Sequence, residues 1–192
     1  MALLARRLRA AGFSTSHFSY HSIRETIDAN SLRLHQLITS IVDSEVHVVA
    51  HSLGGLLVRH LLARCPDDIN GRVVTLGTPH QGSQVAEKLS HSKLGSLLLG
   101  KSAEILLGKL PATEHRQQFG VLAGSKPLGI GMLLGNLEKP HDGTVMLSES
   151  SLEGMSDYRV MTTNHMGMLF SRQVAGEVIR FLKTGQFSSP SG

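Results

Sequence analysis

The stretch 46–60, VHVVAHSLGGLLVRH, decides the fold, because an apolar, β-branched run breaks at a serine and then resumes as an apolar helix. Ala50 and Gly54 lie two residues to either side of Ser52, and only small residues fit at these positions of a very tight strand-to-helix turn. Such a turn pushes the serine side chain outward. The pattern therefore predicts a nucleophile elbow at Ser52. Tight turns of this kind also occur in dinucleotide and phosphate sites, so a purely structural turn is the alternative.

Length and composition predict one globular domain over residues 1–192. A chain of 192 residues fills one core but is short for two. Its 41% hydrophobic and 18% charged residues are typical of globular proteins. A net charge of +4 with scattered basic residues, and only 4% aromatic residues, disfavours nucleic-acid binding. Residues 1–9 are basic and apolar without the long apolar run of a signal peptide, so they predict an amphipathic helix, and we expect no transmembrane segment.

The chemistry of the cysteine and the histidines disfavours a metal or a disulfide. Cys65 is the only cysteine, so it has no intramolecular disulfide partner and no thiolate cluster is available. A chain of this kind fits a reducing compartment, and we expect the cytoplasm. The eleven histidines are dispersed, with no pair at helical metal-ligand spacing beside a carboxylate. We therefore predict no metal site.

Apolar runs and helical patterns alternate along the chain. This alternation predicts an α/β fold in which a mostly parallel sheet carries helices on both faces. A Leu-rich helical segment, 83–112, interrupts the rhythm and is either an outer helix or a small cap. Helices are predicted over 1–11 and after a cap formed by Ser22 and Glu25. Strands are predicted over 13–20, 46–50, 72–77, 119–123 and 158–162.

A serine at an elbow needs a base to remove its proton and a carboxylate to orient that base. In a sheet of this kind the acid and the histidine follow later strands, in the chain order Ser, acid, His. Asp142 lies in a turn after the strand predicted at 119–123, and His165 follows the strand predicted at 158–162. Order and placement together favour Ser52, Asp142 and His165 as the catalytic residues.

Other residues compete for these roles. Asp157 opens a strand and so lies at its wrong end. His51 is next to Ser52, but neighbouring side chains at such a turn point in different directions, so it either lines a pocket or packs. His80, in a loop after the third strand, should border the same cleft, and Met166 beside His165 suggests an apolar acyl pocket, with core packing as an equal alternative. The remaining candidates are Glu138 and Glu149 as the acid and His141 as the base.

Four motifs together resemble the α/β-hydrolase family, and in particular its small bacterial lipase and esterase-like members. They are 48–57, 77–83 (GTPHQGS), 142–145 (DGTV) and His165, and the similarity covers nearly the whole chain. The resemblance implies ester hydrolysis through an acyl-enzyme, with no metal or organic cofactor. In that chemistry Ser52 is the nucleophile, His165 acts first as base and then as acid, and Asp142 orients His165.

The chain departs from this family in one respect. Such enzymes stabilise the oxyanion with two backbone N–H groups, one here from Leu53 and the other from a loop after an earlier strand, often marked by His-Gly. The chain begins at the helix expected after that loop, so the resemblance implies a hydrolase fold without its N-terminal strands. Either the chain is a truncated form, or strand 13–20 pairs with strand 46–50, or a second chain fills the gap. An exposed sheet edge favours a homo-oligomer.

Two classes of function follow from these observations. The leading hypothesis is a serine hydrolase that cleaves carboxylic, lipid-like or small-molecule esters. The alternatives are a catalytically impaired hydrolase-fold protein that serves as a binding or interaction module, and an acyltransferase that uses the same three residues.

Overall fold

A four-stranded parallel sheet forms the centre of the fold. The computed structural model describes residues 1–42, 44–108, 116–129 and 137–189. Within these ranges the strands lie side by side in chain order, and each neighbouring pair is parallel. The predicted α/β fold is therefore confirmed. The strands are β1 (Val48–His51), β2 (Val73–Leu76), β3 (Phe119–Gly124) and β4 (Asp157–Met161).

Helices cover both faces of this sheet, as predicted. In the described part of the chain they are α1 (Ala2–Ala10), α2 (Ile27–Thr39), α3 (Leu53–Arg64), α4 (Gln84–Ser90), α5 (Lys93–Leu99), α6 (Ala103–Leu107), α7 (Leu147–Ser150) and α8 (Arg172–Thr184). Successive strand residues point to opposite faces, so Val74 packs in a cluster with α1 and α8, and Val73 in one with α2 and α3. Both valines are fully buried, as expected for a parallel strand covered on both sides.

Residues 13–20 do not form the predicted strand. Their alternation of apolar and polar residues reflects which side chains face the protein, since Phe18 and Tyr20 pack against the cluster of α2 and α3. A strand also needs ladder hydrogen bonds, and among the described residues β1 makes its ladder with β2. The explanation in which this segment pairs with residues 46–50 is therefore wrong.

The cap of α2 also differs from the prediction. Ser22 and Glu25 do not start the helix, because Glu25 N donates to the carbonyl of His21 in a preceding turn and the Glu25 carboxylate pairs with Arg33 (2.9 Å). Thr26 caps the helix instead, and its hydroxyl accepts a hydrogen bond from Ala29 N.

The Leu-rich segment forms three short helices, α4 to α6, rather than one long helix. The side chains of Ser83 and Ser92 cap the N-termini of α4 and α5, so a new helix begins at each of these serines. Leu94 and Leu97 on α5 are 69% and 73% exposed. Residues 109–112 of the predicted segment lie outside the described residues, and a role as a cap stays a prediction. No helix in the described ranges is long and apolar enough to cross a membrane.

Candidate active site

Ser52 sits on a strained turn between β1 and α3. Its backbone angles are φ 55° and ψ −127°, and among the described residues it is the only one other than glycine with a positive φ. A side chain in this region costs on the order of 1–3 kcal/mol and persists only where the surroundings hold it. Here Ser52 N donates to Leu76 O (2.9 Å), and Thr78 Oγ1 donates to Ser52 O (2.8 Å). Strain of this kind is typical of a functional residue.

Asp142 and His165 form a buried pair. His165 Nδ1 lies 2.8 Å from Asp142 Oδ2, and the two residues are only 7% and 1% exposed. The other carboxylate oxygen, Oδ1, accepts hydrogen bonds from Thr144 N (2.9 Å) and Val145 N (2.7 Å). His165 N also donates to Asp142 O (2.9 Å), which fixes the two backbones to each other. When Nδ1 donates to the carboxylate, the neutral ring keeps its lone pair on Nε2, where it can accept a proton.

The carboxyl ends of the strands bring these residues to one edge of the sheet. Gly77 follows β2 with φ +55°, and a Cβ atom there would lie 2.9 Å from His165 Nδ1 and 3.0 Å from Asp142 Oδ2. The residue before it, Leu76, holds the backbone of Ser52. Among the described residues no direct hydrogen bond joins Ser52 Oγ to His165. Sequence analysis did not single out Gly77, although a glycine directly after a buried strand was the available signal.

His51 packs against the ring of His165 and is unsuited to act as the base. The two ring centroids are 4.6 Å apart, and His51 Nε2 donates to His165 O at 3.0 Å. Burial, followed by the nearby His165, lowers the pKa of His51 from its ordinary value of 6.5 to about 4. The neutral ring therefore supports the backbone of His165 at neutral pH.

The other candidate bases are buried beneath the surface. His80 is 3% exposed, with its Nε2 3.0 Å from Thr75 Oγ1, so its ring does not line an open cleft as expected. His141 Nδ1 accepts a hydrogen bond from Gly143 N (3.0 Å), which shapes the turn that carries Asp142.

The competing acids serve other purposes. Asp157 lies at the start of β4, at the opposite end from His165, and accepts hydrogen bonds from Tyr158 N and Phe187 N. Glu149 is buried and binds Met146 N and Gln84 N. Burial raises the pKa of Glu149. Glu138 is exposed.

Two further site predictions concern Leu53 and Met166. Leu53 is the first residue of α3, so its N–H has no acceptor within the helix and is available to an anion. A narrow cleft lined in part by Tyr20, Leu57 and Ile105 adjoins it. Met166 is 57% exposed beside His165. A separate polar groove of about 330 Å³ lies at the amino ends of β2 and β3, where it is lined by Arg72 and other residues, and it is remote from Ser52.

The parallel sheet, and the edge at which Ser52, Asp142 and His165 lie, define the fold of an α/β hydrolase. The chain belongs to the palmitoyl protein thioesterase family, whose model matches residues 12–121.

Known proteins agree with this assignment. The chain is 28% identical over 99 residues to a triacylglycerol lipase of Pseudarthrobacter phenanthrenivorans and to one of Burkholderia plantarii. The match covers 48% of this chain but only 30% and 27% of those lipases, so the chain spans about a third of the length of these curated relatives.

Solved structures show the same fold. The mature form of a Bacillus licheniformis lipase superposes with a TM-score of 0.75 at 20% identity, covering 95% of this chain and 83% of that one. A lipase-esterase related protein of Clostridium acetobutylicum gives a TM-score of 0.58 at 12% identity, covering 94% and 87%. At these identities the likeness concerns the fold.

Proposed function

We propose that this protein is a serine hydrolase that cleaves carboxylic esters or thioesters of apolar acyl groups through an acyl-enzyme. Ser52 is the nucleophile, His165 the general base and then the general acid, and Asp142 the carboxylate that orients His165. The observation that carries the proposal is the buried 2.8 Å contact between Asp142 Oδ2 and His165 Nδ1, at the same sheet edge as the strained Ser52.

The proposed reaction has two steps, acylation of Ser52 and hydrolysis of the acyl-enzyme. Ser52 Oγ attacks the carbonyl carbon and its proton moves to His165 Nε2, while the tetrahedral oxyanion accepts a hydrogen bond from Leu53 N–H. The bond to the leaving group then breaks, and His165 returns the proton to the departing alcohol or thiol. Water repeats the sequence on the acyl-enzyme and releases the carboxylic acid. Asp142 favours the proton-accepting tautomer of His165 and stabilises the imidazolium that forms.

The substrate class rests on the family and on exposed apolar side chains. The family is named for palmitoyl protein thioesterase, and the relatives are named triacylglycerol lipases. Met166, beside His165, is exposed, and so are Leu94 and Leu97 of α5. Acyl esters and thioesters share the carbonyl that Ser52 attacks, and their alkyl chains would bury apolar surface on binding.

The proposal is tested by the intact mass of the protein after exposure to a fluorophosphonate. Such a reagent reacts well only with a serine that a working base activates. We expect one adduct per chain, lost in Ser52→Ala and strongly slowed in His165→Gln. The matched controls Ser16→Ala and His17→Gln change exposed residues and should react as the parent does.

The same experiment separates the alternatives. A protein that is folded by circular dichroism but takes up no adduct would contradict the hydrolase and support a binding module. An adduct that persists in Ser52→Ala would place the reactive serine elsewhere. Turnover of p-nitrophenyl esters and acyl thioesters, with and without an added alcohol acceptor, then distinguishes hydrolysis from acyl transfer.

Three broader expectations stand beside this proposal. We propose a single domain over residues 1–192, a cytoplasmic location, and self-association through the outer edge of β1. Analytical ultracentrifugation of the parent protein tests the last of these.

A further inference from the structure

A second cluster of reactive side chains lies at the far end of α3. His35 comes from the middle of α2, Cys65 ends α3, and Asp68 lies in the turn that follows, where its N–H donates to Cys65 O. One ligand atom from each of the three residues lies within 4.8 Å of the others. Ser52 is at the opposite end of this 12-residue helix, about 20 Å from Cys65 at the usual helical rise. The cluster is therefore separate from the candidate active site.

Two of the three side chains are already held together. His35 Nδ1 lies 2.6 Å from Asp68 Oδ2, which is the distance of a hydrogen bond between an imidazole nitrogen and a carboxylate oxygen. A metal ion can bind to both atoms once the proton has left Nδ1, because each atom then offers a lone pair, and two tetrahedral bonds of about 2 Å require the pair to move apart to about 3.3 Å. Nitrogen, sulfur and oxygen donors of this kind are the ligands that zinc uses in proteins.

We propose that His35, Cys65 and Asp68 bind a zinc ion, with water in the fourth position. A thiolate and a carboxylate carry two negative charges, which balance the charge of Zn²⁺. This pairing lowers the desolvation cost of placing the ion at a half-buried site. The side chain of His35 is 35% exposed and that of Asp68 is 11% exposed, so solvent reaches the cluster from the His35 side. Open access of this kind suits entry of the ion and a bound water.

Among the described residues, two nearby arginines have carboxylate partners of their own. Arg64 precedes Cys65 in the chain, but its guanidinium pairs with Asp28. Asp67 pairs with Arg116. Both pairs leave the carboxylate of Asp68 to the cluster.

Zinc at this position would fasten α2 to the end of α3. On binding, the imidazole proton of His35 moves from Nδ1 to Nε2 and the thiol of Cys65 loses its proton, so one proton is released per ion. Because the unfolded chain does not hold the three ligands together, the binding free energy also stabilises the fold. The inference does not depend on hydrolase activity.

The first test uses Co²⁺ as a coloured probe of the full-length protein. We expect one Co²⁺ per chain, a near-ultraviolet thiolate-to-cobalt charge-transfer band, and its loss when Zn²⁺ displaces the cobalt. Cys65→Ser should abolish the band, and His35→Gln and Asp68→Asn should each weaken Zn²⁺ binding about tenfold or more. Zinc at roughly 100 times its Kd should raise the unfolding midpoint of the parent by about 5 °C or more.

The matched control is His60→Gln. His60 Nε2 also contacts a carboxylate, Asp28 Oδ1, at 2.7 Å. This carboxylate is shared with the guanidinium of Arg64 rather than with a thiol. This variant should bind zinc as the parent does. The proposal is overturned if the cobalt spectrum lacks the thiolate band, if Cys65→Ser keeps the parent's affinity, or if His60→Gln loses as much affinity as His35→Gln. Circular dichroism of each variant excludes loss of folding as the cause.

Discussion

Gly77 lies so close to His165 that a single added carbon would lie 2.9 Å from its Nδ1 atom. The glycine follows β2, whose last residue holds the backbone of Ser52. The backbone at the end of β2 therefore bonds to Ser52 through Leu76 and lies close to His165 through Gly77. Only a residue without a side chain permits this approach, and its φ of +55° adds a second reason for glycine.

Gly77→Ala should therefore lower kcat sharply. The added Cβ displaces the imidazole, and a misplacement of about 1 Å can cost on the order of 100-fold in rate. Gly154→Ala is the matched control, since Gly154 also has a positive φ (+76°) but has no atom within 4 Å of an added Cβ. Both variants should lose about 1–2 kcal/mol of unfolding free energy, but only Gly77→Ala should lose activity. Equal loss of kcat in the two variants would contradict the contact with His165.

Asp142→Asn should reduce kcat by roughly four orders of magnitude, as in other serine enzymes whose acid is replaced, because the amide favours the wrong tautomer of the histidine. Asp157→Asn provides the comparison. Asp157 also accepts backbone hydrogen bonds, but it lies at the other end of β4. Its replacement should cost about 1 kcal/mol of stability and leave kcat near that of the parent. Steady-state kinetics on one ester would identify the wrong acid if Asp157→Asn were the more impaired variant.

Ser52→Gly should stabilise the protein while it abolishes activity. The serine backbone is held at φ 55° and ψ −127°, and glycine adopts such angles with far less strain. We expect a gain of about 1 kcal/mol in the free energy of unfolding by urea. Ser52→Ala keeps the Cβ atom and should gain little. A Ser52→Gly variant no more stable than Ser52→Ala would mean that the turn stores no strain.

The stability of the fold should fall below pH 6.5 in a way that depends on His51. Burial lowers the pKa of this residue from 6.5 to about 4, so between these values the unfolded chain binds a proton that the folded chain does not. Stability is therefore fully present above pH 6.5 and is lost as the pH falls towards 4, by about 3 kcal/mol at most. His51→Gln should flatten this part of the profile in urea unfolding measured from pH 4 to 8. The same slope in parent and variant would assign the pH dependence to other groups.

The sequence predicted the elements whose physics is local. Val73 and Val74 belong to a run without polar alternation, which is typical of a strand buried on both faces, and the small residues around Ser52 favour a tight strand-to-helix turn. The order of Ser52, Asp142 and His165 along the chain then placed them at one edge of the sheet.

The predictions that failed depended on partners distant in the chain. Residues 13–20 carry the alternation of a strand, but pairing depends on a neighbouring strand that no local pattern reveals. Ser22 and Glu25 have the spacing of a helix cap, but the carboxylate of Glu25 pairs with Arg33, eight residues further along the chain. The cluster of His35 with Cys65 escaped notice because 30 positions separate the two residues, and only the packing of α2 on α3 joins them.

The hydrogen bonds of Asp142 have a further consequence for the proposed reaction. One carboxylate oxygen is occupied by two amides of its own turn, and the other by His165. In the proposed mechanism this buried carboxylate is therefore already oriented before positive charge develops on the imidazole. In water, solvent molecules would have to reorient around each newly formed imidazolium, which raises the activation free energy. Here the orienting hydrogen bonds of Asp142 are formed when the chain folds.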